Sequence, residues 1–420
     1  MPHGSTPART IFHIDANAAY LSWSAAHALQ QGCPTDLRTI PAVVGGSEKS
    51  RHGIVLAKST PAKAYGIQTG MPLADARRRC PGLVVVPPDY GLYLKASAAM
   101  TDLLLEHSPL VQPFSIDECF LEYPAGSHLP PLAAADRIRA RMAGELGFTV
   151  NIGISSNKLL AKMASDFQKP DRTHLLFPED VPRKMWPLPA GDLFMVGSRT
   201  ERKLRRLGLC TIGDVALADS AMLHSHLKSH GLLLQRYARG IDGSPVLPGG
   251  GVPMKGMGNS TTAPFDMERP EEARQVLLSL AETLGMRLRK AGMRAGLVAV
   301  SLTYADFLHA SRQRKLPGSI DTTRELHSVA WNLLEELWDG APLRKLGIHV
   351  SALQEGRIHQ TSLFEPPTGE KQRAAEQAVD LLRSRYGNAA VIRASFLHSG
   401  LPPHSGGTWD AECPSMSSLL

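Results

Sequence analysis

Apolar positions in this chain come in short blocks punctuated by Gly and Pro, and their spacing predicts an alternation of strands and helices. Ile11-Phe12-His13-Ile14 is a strand-length run that ends at Asp15, and the Ala-, Leu- and Trp23-bearing stretch from Asn17 to Gln31 reads as a helix stopped by Gly32. From about residue 33 to 86 short apolar runs alternate with Gly, Pro and basic residues, as in Ala42-Val43-Val44-Gly45-Gly46 and Gly53-Ile54-Val55-Leu56-Ala57. A helix around Tyr93 to Glu106 stops before Pro109, and another runs from about Ala133 to Leu146. The strand Phe148 to Ile154 leads into Ser155-Ser156-Asn157, residues that cap a helix carrying Lys158 and Lys162 one turn apart. Residues from about 175 to 245 read as helical, and the Pro/Gly-rich stretch Ser244 to Gly258 reads as a linker. Beyond it the pattern gives a helix Glu271 to Ala291, a strand Leu297 to Tyr304, a basic strand Ser311 to Leu316, a helix Thr322 to Trp338 and a strand Leu346 to Leu353. A charged helical segment, about Gly369 to Tyr386, and a low-complexity tail follow.

Length and composition narrow the class. At 420 residues and 43% hydrophobic content the chain can bury cores for two to four domains. A net charge of +7 suits a polyanionic partner. Cys33, Cys80, Cys119, Cys210 and Cys413 are odd in number, scattered and without Cys-x-x-Cys spacing, which predicts reduced thiols in a cytoplasmic protein and no zinc site. No apolar leader and no run of about 18 apolar residues is present, so no membrane role is expected.

The chemistry centres on Phe114-Ser115-Ile116-Asp117-Glu118-Cys119. Neighbouring side chains on a strand point to opposite faces, so Asp117 and Glu118 converge only at a strand end or hairpin turn. Crowded carboxylates are tolerated when a cation sits between them, and hard oxygen ligands suit Mg²⁺. Asp15, at the C-terminal edge of its strand, is the candidate third ligand. Three such carboxylates could hold two divalent ions about 4 Å apart, the arrangement polymerases use to activate a 3′-hydroxyl and stabilise leaving pyrophosphate. The plainer alternatives are a polar turn for Asp117 and Glu118 and a helix N-cap for Asp15.

Asp15-x-x-x-x-Tyr20 and Ser115-Ile116-Asp117-Glu118, with Val150 to Lys162 and Lys169-Pro170, resemble the motifs of Y-family translesion DNA polymerases, and the resemblance runs to about Phe364. It implies an α+β multidomain right hand. The ferredoxin-like palm would be 1–32 and 87–174, small fingers 33–86, a helix-hairpin-helix thumb 175–245, a linker 246–258, an α/β little finger 259–357, and a clamp-binding peptide with tail 358–420. It implies a low-fidelity DNA-directed DNA polymerase, holding two Mg²⁺ ions through Asp15, Asp117, Glu118 and the Ala16 carbonyl, with primer-template DNA and deoxynucleoside triphosphates as partners of a monomer. Tyr20 would be the steric gate against a ribose 2′-hydroxyl, or else a core aromatic.

The chain departs from the family pattern at several positions. Asn17 and Ser24 stand where the family often has acids, neither of them a proposed metal ligand. Thr60 and Lys63 replace a Tyr and an Arg that contact the triphosphate; Lys keeps the charge and loses the guanidinium fork. Lys169 falls where a family lysine reaches the triphosphate. Lys158, Lys162 and Lys63 otherwise read as solvated helix surface. Phe194 to Asp214 reads as the helix-hairpin-helix, with Gly197, Arg199 and Lys203 as phosphate contacts, although only Gly197 of the usual Gly-x-Gly is kept. Arg312, Arg314 and Lys315 are the little-finger contacts. Gln360-Thr361-Ser362-Leu363-Phe364 resembles the peptide that binds the sliding clamp, with Gln360, Leu363 and Phe364 as anchors. Competing classes are a catalytically weak scaffold of the same fold, which would be expected to lose a carboxylate, a nucleotidyl cyclase, and a plain DNA-binding module, which would not need the acids.

Overall fold

The computed structural model describes residues 9–47, 51, 53–248, 254–355, 368–397 and 401–404. Their contacts divide into two compact units. One comprises the described residues up to Gly46 and from Ile54 to 248; the other comprises those from 254 onward with the short segment around residue 51.

The first unit begins with β1 (Thr10–Ala16) and α1 (Ala19–Gln30). There follow β2 (Ala42–Gly45), β3 (Val55–Lys58), α2 (Thr60–Ala64), α3 (Leu73–Arg79), β4 (Val84–Val86) and α4 (Tyr90–Leu105). Next come β5 (Val111–Pro113), β6 (Glu118–Tyr123), α5 (Pro131–Arg141), β7 (Val150–Ser155), α6 (Lys158–Ser165) and β8 (Thr173–Leu175). Its main sheet has the order β5-β6-β1-β7-β8, with β6 and β7 both antiparallel to β1. The core strands β1, β5, β6 and β7 form the βαββαβ arrangement expected of a ferredoxin-like layer. Strand alternation splits β1 cleanly. Phe12, Ile14 and Ala16 pack with Trp23, Tyr93, Leu104 and Ile138 under α1, α4 and α5, whereas Ile11 packs on the other face with Phe120 and Ala161 of α6. Helix α6 lies so close to β7 that a Cβ on Gly153 would fall 1.9 Å from the Ala161 carbonyl oxygen, so glycine is required there. A smaller sheet, β3-β2-β4, carries α2 and α3 around Val43, Val55, Ile67 and Leu73. Helices α7 (Ser198–Arg206), α8 (Ile212–Leu217) and α9 (Ser220–Ala238) enclose Leu204, Ile212, Val215 and Leu234.

The second unit comprises β9 (Gly256–Met267), α10 (Pro270–Lys290), β10 (Met293–Tyr304), β11 (His309–Ile320), α11 (Thr323–Glu335), β12 (Leu343–Glu355) and α12 (Thr368–Tyr386). Its antiparallel sheet has the order β11-β10-β12-β9, and α10 and α11 cover the face bearing Val298, Val300, Leu346 and Ile348. One expectation changes here. Gly256 to Gly258, read as linker, are the first residues of β9. Gly256 and Gly258 lie against the His349 ring, with ideal Cβ positions 2.9 Å from its atoms, so they serve strand packing and not looseness. The charged helical segment is α12, whose Glu376 and Arg383 are buried in ion pairs with Arg289 and Glu282 of α10.

Candidate active site

Asp15 and Glu118 are directly opposed partners in the β1–β6 ladder, so both side chains leave the same face of the sheet. Asp117 immediately precedes β6, in the bend that joins it to β5. The Ala16 amide donates to the Asp117 carbonyl at 2.9 Å, and the Ser115 hydroxyl donates to Asp117 Oδ1 at 2.5 Å, which fixes the bend. Asp117 and Glu118 therefore stand at the start of β6, with Glu118 opposite Asp15. Among the described residues no three His, Cys, Asp or Glu side chains are gathered tightly enough to hold one ion. Two ammonium groups lie among these carboxylates. Lys169 Nζ donates to Asp15 Oδ2 at 2.8 Å and pairs with Asp166 at 2.8 Å, and Lys162 Nζ donates to Glu118 Oε1 at 2.7 Å.

Only 7% of Asp15 is exposed, and burial pushes its carboxyl up to about 7, against the pull of Lys169 and with further push from Glu118 and Asp166. Burial opposes the charge on Lys169, yet Asp15 and Asp166 outweigh it and raise its pKa above the ordinary lysine value. His13, behind Glu118 with Nε2 at 3.9 Å, is held neutral by complete burial and by Lys162 and Lys169. Asp15 is thus a buried carboxylate whose charge Lys169 offsets in part. Its hard oxygen donors suit a divalent cation.

The two α6 lysines correct the sequence reading. Lys158 is 1% exposed, donates to Gln112 Oε1 at 3.0 Å and lies 4.9 Å over the Phe120 ring, and Lys162 is also buried. Neither is solvated surface. The available signal was the company they keep: Leu159, Leu160, Ala161, Met163 and Ala164 leave this helix no polar face to turn outward. Asn17 and Asn151 join in a buried amide pair at 3.1 Å.

Tyr20, in the first turn of α1, stacks flat on the buried Tyr93 at 4.5 Å and meets Tyr90 edge-on at 6.2 Å. Thr60 and Lys63 both lie on α2, exposed, after an N-cap made by Ser59 accepting from the Ala62 amide. The structure thus places Asp15, Glu118 and Lys169 in mutual contact or register, with Thr60 and Lys63 on the smaller sheet's helix.

Gly197 is the N-cap of α7, with open space where a Cβ would stand, and Arg199 and Lys203 are exposed on that helix. Helix α8 begins after a Thr211–Asp214 capping box, completing a helix-hairpin-helix. In the second unit the three basic residues of β11 divide. Arg312 and Arg314 stand opposite Val300 and Val298 on the helix-bearing side, and both pair with Glu336. Lys315, opposite Leu297, belongs to the other side. On that open side the row Ser260, Gly347, Ser301, Ser311 crosses all four strands, with Lys345 and His349 exposed beside it. Gln360, Leu363 and Phe364 lie outside the described residues. No described helix is long and apolar enough to cross a membrane.

The impB/mucB/samB family pattern matches residues 14–166, and that family's C-terminal domain matches residues 254–363. The chain is 41% identical over 390 residues to a DNA polymerase IV of Clostridium acetobutylicum, covering 93% of this chain and 98% of that one. It is 39% identical over 389 residues to a DNA polymerase IV of Moorella thermoacetica, covering 92% and 95%. A solved Y-family DNA polymerase chimera shares the fold with a TM-score of 0.69, at 21% identity over 82% of this chain and 98% of the chimera.

Proposed function

The chain belongs to the impB/mucB/samB family, the Y-family polymerases of the bacterial DNA polymerase IV kind, and from that membership we propose how its own residues carry the reaction. It is a DNA-directed DNA polymerase that uses DNA and nucleotide substrates. The reading rests above all on one observation: Asp15 and Glu118 stand opposed at the ends of two central strands, with Asp117 in the adjoining bend.

Asp15, Asp117, Glu118 and the main-chain carbonyl of Ala16 would hold two Mg²⁺ ions. When bound, these ions supply activation of the primer 3′-hydroxyl and charge stabilisation at the leaving pyrophosphate. Each ammonium then has a second task. Lys169, released from Asp15, faces the triphosphate, and Lys162 stays against Glu118 and keeps that carboxylate ionised and aimed. Tyr20, braced on Tyr93, lies against the sugar and rejects a 2′-hydroxyl by steric clash, and Thr60 and Lys63 of α2 bind the triphosphate. Gly197, Arg199 and Lys203 grip a DNA phosphate at the start of α7, where free backbone amides and the helix dipole favour an anion. Arg312, Arg314 and Lys315 of β11 add sequence-independent contacts. On the same reading the enzyme copies damaged templates as a monomer in the cytoplasm, and Gln360, Leu363 and Phe364 tether it to the sliding clamp.

The test is primer extension with Mg²⁺ on undamaged template. Templated addition of deoxynucleotides one at a time is expected. Tight binding of primer-template with no addition under any divalent ion would favour the scaffold reading instead.

A further inference from the structure

Lys169 stands on the segment 165–172, which begins at the last residue of α6 and has no regular secondary structure from Asp166 to the start of β8. Two buried side-chain amides hold its backbone. Asn151 Nδ2 donates to the Ser165 carbonyl at 3.0 Å and to the Gln168 carbonyl at 2.6 Å. Asn17 Oδ1 accepts from the Asp171 amide at 2.9 Å and from the Thr149 hydroxyl at 3.0 Å. Asn151 Oδ1 accepts from the Arg172 amide at 3.3 Å. Asn17 Nδ2 then donates to Asn151 Oδ1 at 3.1 Å.

The orientation of both amides is forced. A main-chain N–H can only donate, so the Asn17 atom facing Asp171 is oxygen; a main-chain carbonyl can only accept, so the Asn151 atom facing Ser165 and Gln168 is nitrogen. That leaves Asn151 Oδ1 to meet Asn17 Nδ2, and the pair closes without an unpaired group. Asn17 follows the proposed metal-ligand strand by one residue, and Asn151 sits on β7 opposite Asp15 in the ladder. The relay therefore ties the metal strand, the neighbouring strand and the lysine segment into one unit, with four backbone groups of the segment fixed by two side chains.

We propose that Asn17 and Asn151 are positioning residues for nucleotide binding: their amide pair holds the 165–172 segment so that Lys169 faces the incoming triphosphate beside Asp15. This rests on the assignment of Lys169 as a triphosphate contact. It also explains why position 17 carries an amide and not an acid in this chain. A carboxylate there would set oxygen against Asn151 Oδ1, and turning Asn151 around to relieve that contact would sacrifice its two bonds to Ser165 and Gln168.

The experiment is a double-mutant cycle on single-nucleotide insertion, with the full chain, primer-template DNA, Mg²⁺ and the templated deoxynucleoside triphosphate. Asn17→Asp should raise the nucleotide KM about tenfold, the loss of one to two buried hydrogen bonds, with a much smaller change in kcat. Asn17→Ala removes all three of this side chain's bonds, the one it donates and the two it accepts, without adding charge, and should act in the same direction, so the test survives if Asn17→Asp does not fold. In a Lys169→Ala background neither substitution should raise KM further, because both act through that ammonium. A merely structural role predicts lower melting temperature with equal KM effects in both backgrounds. Full additivity, or an unchanged KM in Asn17→Ala alongside a raised KM in Lys169→Ala, overturns the inference alone. An unchanged KM in Lys169→Ala overturns the triphosphate assignment and this inference with it.

Discussion

In the first sheet the strands of the βαββαβ run stand in the order second, third, first, fourth; in the second sheet, built from the same alternation, the order is third, second, fourth, first. The difference decides what each can hold. With its first strand central, the first sheet flanks Asp15 with Glu118 on one side and Asn151 on the other. In the second sheet the first strand, β9, lies at an edge with β12 as its neighbour, so its end has no such enclosure. The buried cations differ as well. The first unit uses lysines, single point charges whose partners can be exchanged for a ligand. The second uses arginines: Arg289 bonds Asp380 and Glu376 at 2.6 Å each, and Arg383 and Arg393 both bond Glu282. Guanidinium forks with several partners each suit a lock, here between α10 and α12, and not an exchangeable site.

The comparison breaks most sharply at the carboxylates. Asp15→Asn or Asp117→Asn should lower primer extension by at least roughly a thousandfold while gel-shift affinity for primer-template stays near that of the unaltered chain, because the loss falls on metal-mediated chemistry. Near-normal turnover in either variant would dissolve the claimed difference between the sheets. In the second sheet the corresponding break is structural. Glu282→Ala leaves Arg383 and Arg393 without their buried carboxylate and should cost about 3–5 kcal/mol in a denaturant unfolding transition. A loss within about 0.5 kcal/mol, the range typical of exposed surface changes, would show that α12 is not locked by these pairs.

Much of the first sheet was legible because chemistry and local geometry coincide there. An apolar run ending at Asp15 and two adjacent acids before Cys119 can converge only at strand ends, and Asn157 does cap α6, its side chain accepting from the Leu160 amide at 2.8 Å. Strand order was not legible, since both sheets come from the same alternation of elements. The burial of Lys158 and Lys162 was obscured because charge is ordinarily a surface signal, and only the apolar residues around them contradict it. Glycines misled in β9 for a related reason: a glycine that admits a close histidine ring looks, in sequence, like a glycine that loosens a linker. The lock on α12 depends on partners 87 to 101 residues away, beyond any local pattern.

A smaller effect tests the sugar-reading role proposed for Tyr20 beside the first sheet. Tyr20→Ala should admit ribonucleotides at least about tenfold more readily, with little change in deoxynucleotide use, because only a repulsive contact is removed. Unchanged discrimination in competition assays would return Tyr20 to the core aromatic stack with Tyr93. The smallest effect is in the second sheet, where Lys315→Ala should reduce the slope of log affinity against log salt by about one without altering sequence preference. An unchanged slope would remove the open side of β11 from the DNA contact surface.

The most direct measurement of the central claim is the divalent-ion dependence of single-nucleotide insertion by the unaltered chain. Insertion should vanish when a chelator removes divalent ions and return on adding Mg²⁺, with primer-template binding unaffected throughout. Insertion that continues at full rate in chelator would contradict the assignment of Asp15, Asp117 and Glu118 as the metal-holding carboxylates of the reaction.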